Sequence, residues 1–308
     1  MTAINAEASI AYIAEVTPGV TPATPAFKSL RAQSESLKPV REYYTSPDLN
    51  GKRGPRNYAI AKRSGAGGFS AEFANAHLDD MIEGALRATW AANILTDANV
   101  DKSFTFETKF EDGATDVYKR LTGARIDTFN MTLRAGEPVV CEVGLVAMGG
   151  DYATAIVTGA TYTAANTEPI EMGAGINGVS MFGITPGCVQ EITFSVNNNL
   201  RPVFCLGSAD ASDVKPGTLE VTGSITTLLS ASQISLIRSY LDGTATSLTF
   251  DVSEIVSKGT RFFTPSIILE DMDIVAESDN GDTLVKLKWR ALQSATLSNS
   301  TVRVTRLV

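Results

Sequence analysis

Apolar and polar residues alternate with a period of two along several separate stretches of this 308-residue chain. Such alternation is typical of β-strands with one buried and one exposed face, because successive side chains point to opposite faces. The clearest runs are residues 104–107, 126–133, 139–145, 191–196 and 284–289. Asp-Gly, Ala-Gly and Asn-Gly pairs lie between runs, at residues 112–113, 135–136 and 280–281. Because these pairs favour tight turns, the pattern predicts strands connected by hairpins.

Two segments have a helical period instead. In the first, apolar residues recur at the spacing of an amphipathic helix, at Leu78, Met81, Ile82, Ala85 and Leu86. The second covers residues 231–241, where Ser230 and Gln233 have the spacing of a capping box and Gly243 is a stop signal. Together with the strands, these segments predict a mainly β fold with a few helices, of the α+β class.

Composition excludes several classes of protein. Hydrophobic residues make up 44% of the chain, which is too many for a disordered protein. No apolar run approaches the ~18 residues of a membrane span. Residues 1–15 lack the basic-then-apolar pattern of a secretory signal, so we expect neither a span nor a signal. The 26 basic and 34 acidic residues give a net charge of −8, whereas proteins that grip nucleic acid carry basic patches.

Residue counts also argue against most catalytic sites. His77 is the single histidine, so any His-dependent base or triad would have to use it. The three cysteines, Cys141, Cys188 and Cys205, have no CxxC spacing, which argues against a disulfide scaffold or a zinc site. We therefore expect no enzyme and no cofactor, although a mechanism that uses carboxylates alone survives the counts.

An internal repeat accounts for much of the length. Residues 103–107 (SFTFE) and 247–251 (SLTFD) match at an offset of 144. A helical segment lies upstream of each match, and a Gly-led strand lies upstream of each helix, at Gly68 and Gly217. The order strand, strand, helix and three strands thus occurs twice, over residues 37–148 and 189–292. The sequence predicts a duplicated β-sandwich in which each copy has one flanking helix.

These features predict four regions. Residues 1–36 form an N-terminal arm, and residues 37–148 form the first sandwich domain. Residues 149–187 form a linker with two short strands at 155–158 and 160–163, and residues 188–308 form the second domain with a C-terminal tail. The arm contains three prolines in residues 17–25 and an apolar run before them. It either adds an edge strand to its own sheet or docks on a neighbour. The tail alternates in strand fashion over residues 302–308 and could add to a neighbour's sheet.

Two acidic clusters resemble catalytic or metal sites. His77, Asp79 and Asp80 lie at the start of the first helix, where we expect polar side chains to cap free N–H groups. Residues 270–279 contain Glu270, Asp271 and Asp273 with Glu277 and Asp279. Their order does not match a calcium loop, and alternation with apolar residues predicts the wet face of a strand.

Two smaller motifs have structural interpretations. The glycine-rich residues 65–68 lack the Lys-Ser/Thr of a phosphate loop and open a strand, so we expect no nucleotide there. Cys141 alternates with Val139 and Val143, which predicts a core or interface position.

Three stretches give the chain a family resemblance. They are residues 11–25 (AYIAEVTPGVTPATP) with 27–31 (FKSLR) and the strand at 36–37, residues 68–90, and residues 194–201 (FSVNNNLR) with 221–225 (VTGSI). The chain resembles the tail tube (major tail) proteins of long non-contractile-tailed bacteriophages. The resemblance covers most of the chain and is least clear over residues 150–185.

The resemblance implies a structural virion protein that polymerises into stacked rings around a conduit for DNA. It implies that inner sheets of neighbouring subunits join into one barrel, and that single-domain relatives form hexameric rings. A duplicated chain then favours a trimeric ring with pseudo-sixfold symmetry. Other tail proteins would bind the tube ends, and double-stranded DNA and the tape-measure protein would pass through without specific binding. The protein would be made in the host cytoplasm and reside in the virion tail.

An acidic wall would repel phosphate and let DNA slide. Candidates for this lining are the polar strand residues Glu107, Asp127, Asp251, Glu270 and Asp273.

A basic cluster interrupts the acidic chain. No acidic residue lies between Asp48 and Glu72, where five positive charges occur at Lys52, Arg53, Arg56, Lys62 and Arg63. We expect this loop to dock on an acidic face of the next ring, while a solvated loop and nonspecific nucleic-acid contact are the alternatives. The corresponding residues 197–215 in the second copy lack the cluster.

Two other functions fit the sequence less well. A carbohydrate-binding or adhesin-like sandwich would need an aromatic platform, and the aromatic residues, at 7%, are scattered. A hydrolase with paired carboxylates would need a cleft that no motif indicates.

Overall fold

A computed structural model describes residues 8–47, 54, 57–74, 76–111, 115–165, 176–181, 188–230, 233–255, 258–276 and 282–307. We call residues 8–165 the first half and residues 176–307 the second half. The first half contains β1 (Ser9–Ala14), β2 (Ala26–Leu30), β3 (Ala32–Glu35), β4 (Lys38–Thr45), β5 (Tyr58–Glu72), α1 (Asp79–Ala85), β6 (Ile94–Thr96), β7 (Phe104–Phe110), β8 (Val117–Arg134), β9 (Val140–Ala147), β10 (Gly149–Ala153) and β11 (Thr161–Thr163).

The second half contains β12 (Ile176–Met181), β13 (Val189–Asn197), β14 (Arg201–Phe204), β15 (Ala211–Lys215), β16 (Glu220–Leu228), α2 (Ile234–Leu241), β17 (Thr246–Ile255), β18 (Lys258–Ala276), β19 (Thr283–Ala291), a short 3-10 helix (Ala295–Leu297) and β20 (Arg303–Leu307). The fold is mainly β with two α-helices in the described residues, which confirms the predicted α+β class. All five alternating runs lie in strands.

An eight-stranded antiparallel sheet runs through both halves. Its order is β4, β5, β9, β8, β13, β16, β19 and β18. β3 also pairs with β5, on the same side as β4 and next to a different part of β5. The first four strands belong to the first half and the last four to the second half. We call these sets the first and second four-stranded units; they are joined where β8 pairs with β13.

Smaller sheets cover one face of this sheet. β8 and β18 are long enough, at 18 and 19 residues, to join two sheets each. The N-terminal part of β8 pairs with β7 and β10, and β7 continues to β1, β2 and β11. The N-terminal part of β18 pairs with β17 and β20, which continue to β12 and β6 respectively.

The hydrophobic core lies between these layers. In the first half, the rings of Phe69 on β5 and Phe106 on β7 lie 5.9 Å apart. In the second half, Phe194 on β13 lies 5.9 Å from Phe250 on β17, and Trp289 on β19 is 1% exposed. Burial of aromatic and aliphatic side chains on the facing surfaces holds each sandwich together.

Both helices occur where the apolar period predicts them. The predicted stripe of α1, from Leu78 to Leu86, is buried, and a Cβ at Gly84 would lie 2.9 Å from Ile126 of β8. α2 begins at Ile234 rather than residue 231. Half of the expected capping box forms, since Gln233 Oε1 accepts a hydrogen bond from Ser230 N at 3.2 Å.

The predicted arm and linker contribute strands to the two sandwiches. β1 lies between β2 and β7, with Ile10 and Tyr12 buried, so the described arm belongs to its own chain's sheet. Residues 155–158 are not a strand, whereas β11 and β12 lie within the expected linker. β20 pairs with β18 and β6 of the same chain, which corrects the expectation that the tail is available to a neighbour.

Candidate assembly surfaces

The face of the eight-stranded sheet that points away from the core is rich in small polar side chains. Ser34 and Ser70 share a hydrogen bond of 2.7 Å between β3 and β5, and Thr193 and Ser224 share one of 2.8 Å between β13 and β16. On this polar face, Gly68 and Gly144 are register partners in β5 and β9, so no side chain projects from either position. A side chain at Gly68 could not fit, because its Cβ would lie 2.5 Å from Val143 O.

Charged side chains on the polar face concentrate at the second unit and are paired. Arg290 Nε donates to Glu270 Oε1 at 2.5 Å, and Lys288 Nζ donates to Asp271 at 2.8 Å. Lys286 is the register partner of Asp273. Hydrogen bonding to Lys288 lowers the pKa of Asp271 and raises that of the lysine, so both stay charged at neutral pH. Two cations of this face, Lys288 and Arg290, are therefore each neutralised by a carboxylate of the neighbouring strand.

Both edges of the eight-stranded sheet are open in the described part of the chain. At one edge, β3 and β4 pair only with β5. At the other, residues 268–276 of β18 pair only with β19. Open edges present free N–H and C=O groups and favour addition of another strand. The exposed Asp271, Asp273 and Ile274 lie along the second edge.

The junction between the units gives an example of how such edges join. β8 pairs with β13 from Arg134 opposite Glu191 to Thr128 opposite Asn197. Ser195 Oγ donates to Asn130 Oδ1 at 2.6 Å on the polar face. Met131 and Phe194, register partners on the other face, are both buried in the core.

Buried polar groups strengthen this junction at one end of the sheet. Asn198 Nδ2 donates to the carbonyls of Ala85 at 2.8 Å and Ile126 at 3.0 Å. Arg125, 4% exposed, donates to Asp213 and Asp101 at 2.7 and 2.6 Å and to Val214 O. Although burial opposes it, hydrogen bonding to Lys215 and Arg125 lowers the pKa of Asp213 to about 2.

We expect Arg125→Met to destabilise the subunit by about 2–3 kcal/mol, because it removes the buried guanidinium that links Asp101 with Asp213 and leaves Val214 O without this donor. The matched control is Arg134→Met on the same strand, whose side chain is 53% exposed, with an expected cost of about 0–1 kcal/mol. Urea unfolding of both variants measures the difference. Equal losses would contradict a structural role for the buried guanidinium.

The five proposed lining residues fall into three groups: two are exposed, one is partly buried at a strand bulge, and two are buried. Glu270 and Asp273 are exposed on the polar face of β18. Asp127 lies at a bulge of β8, where its Oδ1 accepts a hydrogen bond from Leu200 N at 2.7 Å.

Glu107 and Asp251 are 2% and 4% exposed, so burial corrects the expectation that they face an aqueous channel. Arg120 and Tyr162 each contact Glu107 at 2.5 Å, and Arg261 donates twice to Asp251 at 2.7 Å.

The described part of the basic cluster is engaged within the chain. Lys62 Nζ lies 3.2 Å from Glu42 and 5.2 Å from the ring centroid of Phe204. Arg63 N donates to Ala209 O at 2.7 Å, and its guanidinium lies 3.5 Å from Asp210. Lys52, Arg53 and Arg56 lie outside the described residues.

The acidic group at α1 has a different role from the one expected. Leu78 is the N-cap, and no side chain caps the helix. Instead, His77 Nε2 accepts a hydrogen bond from Arg31 N at 3.1 Å, and Asp79 pairs with Arg306 at 2.5 Å. Burial, with a contribution from Arg31, lowers the pKa of His77, so the ring is neutral at pH 7. The first bond connects the residue after β2 to the start of the helix, and the second connects β20 to the helix.

Other motifs lie in structural positions. Cys141 is buried in the core, as predicted, whereas Cys188 and Cys205 are exposed. Residues 65–68 lie inside β5. In the described residues no group of three His, Cys, Asp or Glu side chains is arranged to hold a metal; Glu277 and Asp279 lie outside them.

Comparison with known proteins identifies the family. A family model described as phage tail tube protein matches residues 5–291, nearly the whole chain. The chain belongs to the phage tail tube protein family. Membership makes it a structural component of the phage tail rather than a member of an enzyme class. No curated protein matches it. No helix in its described residues has the length and hydrophobicity that a membrane crossing needs.

Sequence reasoning missed the junction residues of this tail tube family member. Arg125 and Asn198 look like ordinary polar residues in the sequence, because their partners lie up to 113 positions away. The position of Asn198 directly after a strongly alternating strand is typical of a solvent-facing turn residue, so the sequence does not reveal its burial.

Proposed function

We propose that the protein is a major tail tube subunit that polymerises into stacked rings and forms the conduit for DNA during ejection. One observation carries the proposal: a sheet with two open edges contains, at its centre, a junction between two similar units. Repeating that junction between chains would extend the sheet into a closed barrel. Other tail proteins would bind the tube ends.

Support for duplication comes from matching pairings. Within the first unit, β3 or β4 pairs with β5, β5 with β9, and β9 with β8; within the second, β13 pairs with β16, β16 with β19, and β19 with β18. β7 pairs with β1 as β17 pairs with β12. Each half would fill one position of a pseudo-sixfold ring, so three chains would close it.

The internal junction then defines a register between chains. Ser34, Ser70, Glu142 and Asn130 are successive register partners across the first unit. Thr193, Ser224, Lys288 and Asp271 form the same row across the second. Inside the chain, Asn130 is opposite Ser195, two residues beyond Thr193. By the same rule, Asp271 of one chain lies opposite Ser36 of the next, two residues beyond Ser34.

The polar face would line the channel. Ion pairing of Lys288 and Arg290 with acidic neighbours reduces the positive charge available to phosphate, and Glu142 and Asp273 add exposed acidic groups to this face. Double-stranded DNA and the tape-measure protein would therefore pass without specific binding. Glu270 and Asp273 remain candidate residues of the channel lining. The protein would be made in the host cytoplasm.

Electron microscopy and a disulfide test the proposal together. In a Cys188→Ser, Cys205→Ser background, we expect tubes, and we expect Ser36→Cys with Asp271→Cys to cross-link chains on oxidation. Opposite residues of an antiparallel pair lie within disulfide reach. The matched control, Asn130→Cys with Ser195→Cys, places a cysteine pair at the internal junction and should link within one chain. Absence of tubes and rings would refute the function, and tubes without the cross-link would refute the register.

A further inference from the structure

The β4–β5 hairpin exposes an unusual group of tyrosines. Tyr43, Tyr44 and Tyr58 are 54%, 58% and 75% exposed, and the rings of Tyr43 and Tyr58 lie 5.6 Å apart. The hairpin extends past the sheet, and most residues of its described stem are exposed. A two-stranded ribbon is marginal in water, and a cluster of exposed aromatic side chains is typical of an interface.

The second half has a hairpin at the same place in its unit, and that hairpin is covered. β14 and β15 connect β13 to β16, as the β4–β5 hairpin connects the corresponding strands of the first unit. In this hairpin Val214 is 1% and Ala211 5% exposed. Pro202 and Val203 on β14 are also shielded in part, whereas Tyr43 and Tyr44 on β4 are exposed.

Residues of the first half cover the β14–β15 hairpin. Ala209 O accepts the hydrogen bond from Arg63 N on β5, and Phe204 lies over Lys62. Asp213 bonds Arg125 on β8, and β14 also contacts β9. The hairpin of the second unit therefore lies across the end of the unit that precedes it in the sheet.

The first unit has no preceding unit in its own chain. We propose that the Tyr43, Tyr44 and Tyr58 surface docks on the second half of another copy in the same ring, across the end of its second unit. This inference rests on the proposed function, because a ring supplies that preceding unit. It assigns the described stem to a contact within the ring, in place of the inter-ring contact that the charge pattern predicts.

The receiving surface has an apolar residue at the required position. Leu292 directly follows β19 and is 38% exposed, and its N–H donates to Ser266 O at 2.8 Å. Leu292 therefore lies beside residue 266 of β18, close to residue 268, where the open edge of that strand begins. In the first half, the strand that corresponds to β19 is β9, and β14 contacts it. Tyrosine rings against Leu292 would remove both exposed apolar groups from water.

Cross-linking in assembled tubes tests this contact. In the Cys188→Ser, Cys205→Ser background, Tyr43→Cys with Leu292→Cys is treated with a short bismaleimide after assembly. A contact within the ring gives covalent oligomers that stop at the number of chains in one ring. An inter-ring contact gives a ladder that continues past that number and overturns the proposal. Tubes without cross-links also overturn it, whereas absence of tubes and rings from the Cys188→Ser, Cys205→Ser background itself refutes the proposed function.

A substitution adds an independent readout. We expect Tyr58→Ser to raise the protein concentration needed for half-maximal assembly about tenfold or more, with the melting temperature of the subunit unchanged. The matched control is Tyr152→Ser on β10, a tyrosine that is 63% exposed and does not belong to the Tyr43, Tyr44 and Tyr58 surface. Equal assembly by the two variants would contradict docking by the tyrosine surface.

Discussion

A single proline on the open edge of β18 is expected to give a folded subunit that assembles into rings about a hundredfold more weakly. Successive residues of an edge strand point their N–H groups alternately toward the neighbouring strand and toward solvent. Asp273 and Ile274 are adjacent on this edge and pair only with β19 in the described chain. One of the two prolines therefore removes a hydrogen bond to β19, while the other removes only an outward N–H that a neighbouring chain would use.

The two variants serve as controls for each other. Asp273→Pro and Ile274→Pro should differ in urea unfolding, and the one that keeps wild-type stability should assemble about a hundredfold more weakly. Sedimentation velocity and electron microscopy measure the loss. Normal tubes from the stable variant would show that this edge does not join subunits.

Deleting residues 1–30 is expected to unfold the first half rather than release soluble monomers. The deletion removes β1 and β2 with Ile10, Tyr12, Phe27 and Leu30, all at most 7% exposed. Burial of four such side chains contributes about 6–12 kcal/mol, which is comparable to the total stability of a domain. An arm that only docked on a neighbour could be lost without unfolding the subunit, whereas β1 is an interior strand of its own chain's sheet.

Circular dichroism and solubility measure this effect. Deletion of residues 1–7, which precede β1, is the control and should leave the melting transition unchanged. A soluble product of the longer deletion with wild-type cooperative unfolding would contradict the assignment of β1 to the core.

Local patterns predicted the elements well because local geometry produces them. The stripe from Leu78 to Leu86 defines α1, and each alternating run lies in a strand. Exposure was harder to predict. Glu107 follows Phe106 in a regular alternation, yet it is buried because Arg120 and Tyr162 cover it. A period of two shows which residues of a strand share a face. It does not show which other residues pack against the polar face.

Candidate sites were predicted only in part for the same reason. Glu270 and Asp273 are on the exposed face as expected, whereas Asp251 is covered by Arg261 and lies close to β12. His77 and Asp79 are near a helix start, where capping is common, but Arg31, between β2 and β3, and Arg306 of β20 bond them instead. Partners so far apart in sequence leave no periodic signal.

The sequence by itself determined most of the strands, the two helices and the family resemblance. Each of these follows from side-chain period, turn residues or residue identity within a short window. Only the tertiary structure decided that β8 pairs with β13, so that two four-stranded units become one sheet with two open edges. Pairing between strands distant in sequence depends on which surfaces bury each other in the whole fold, and local pattern does not contain that information.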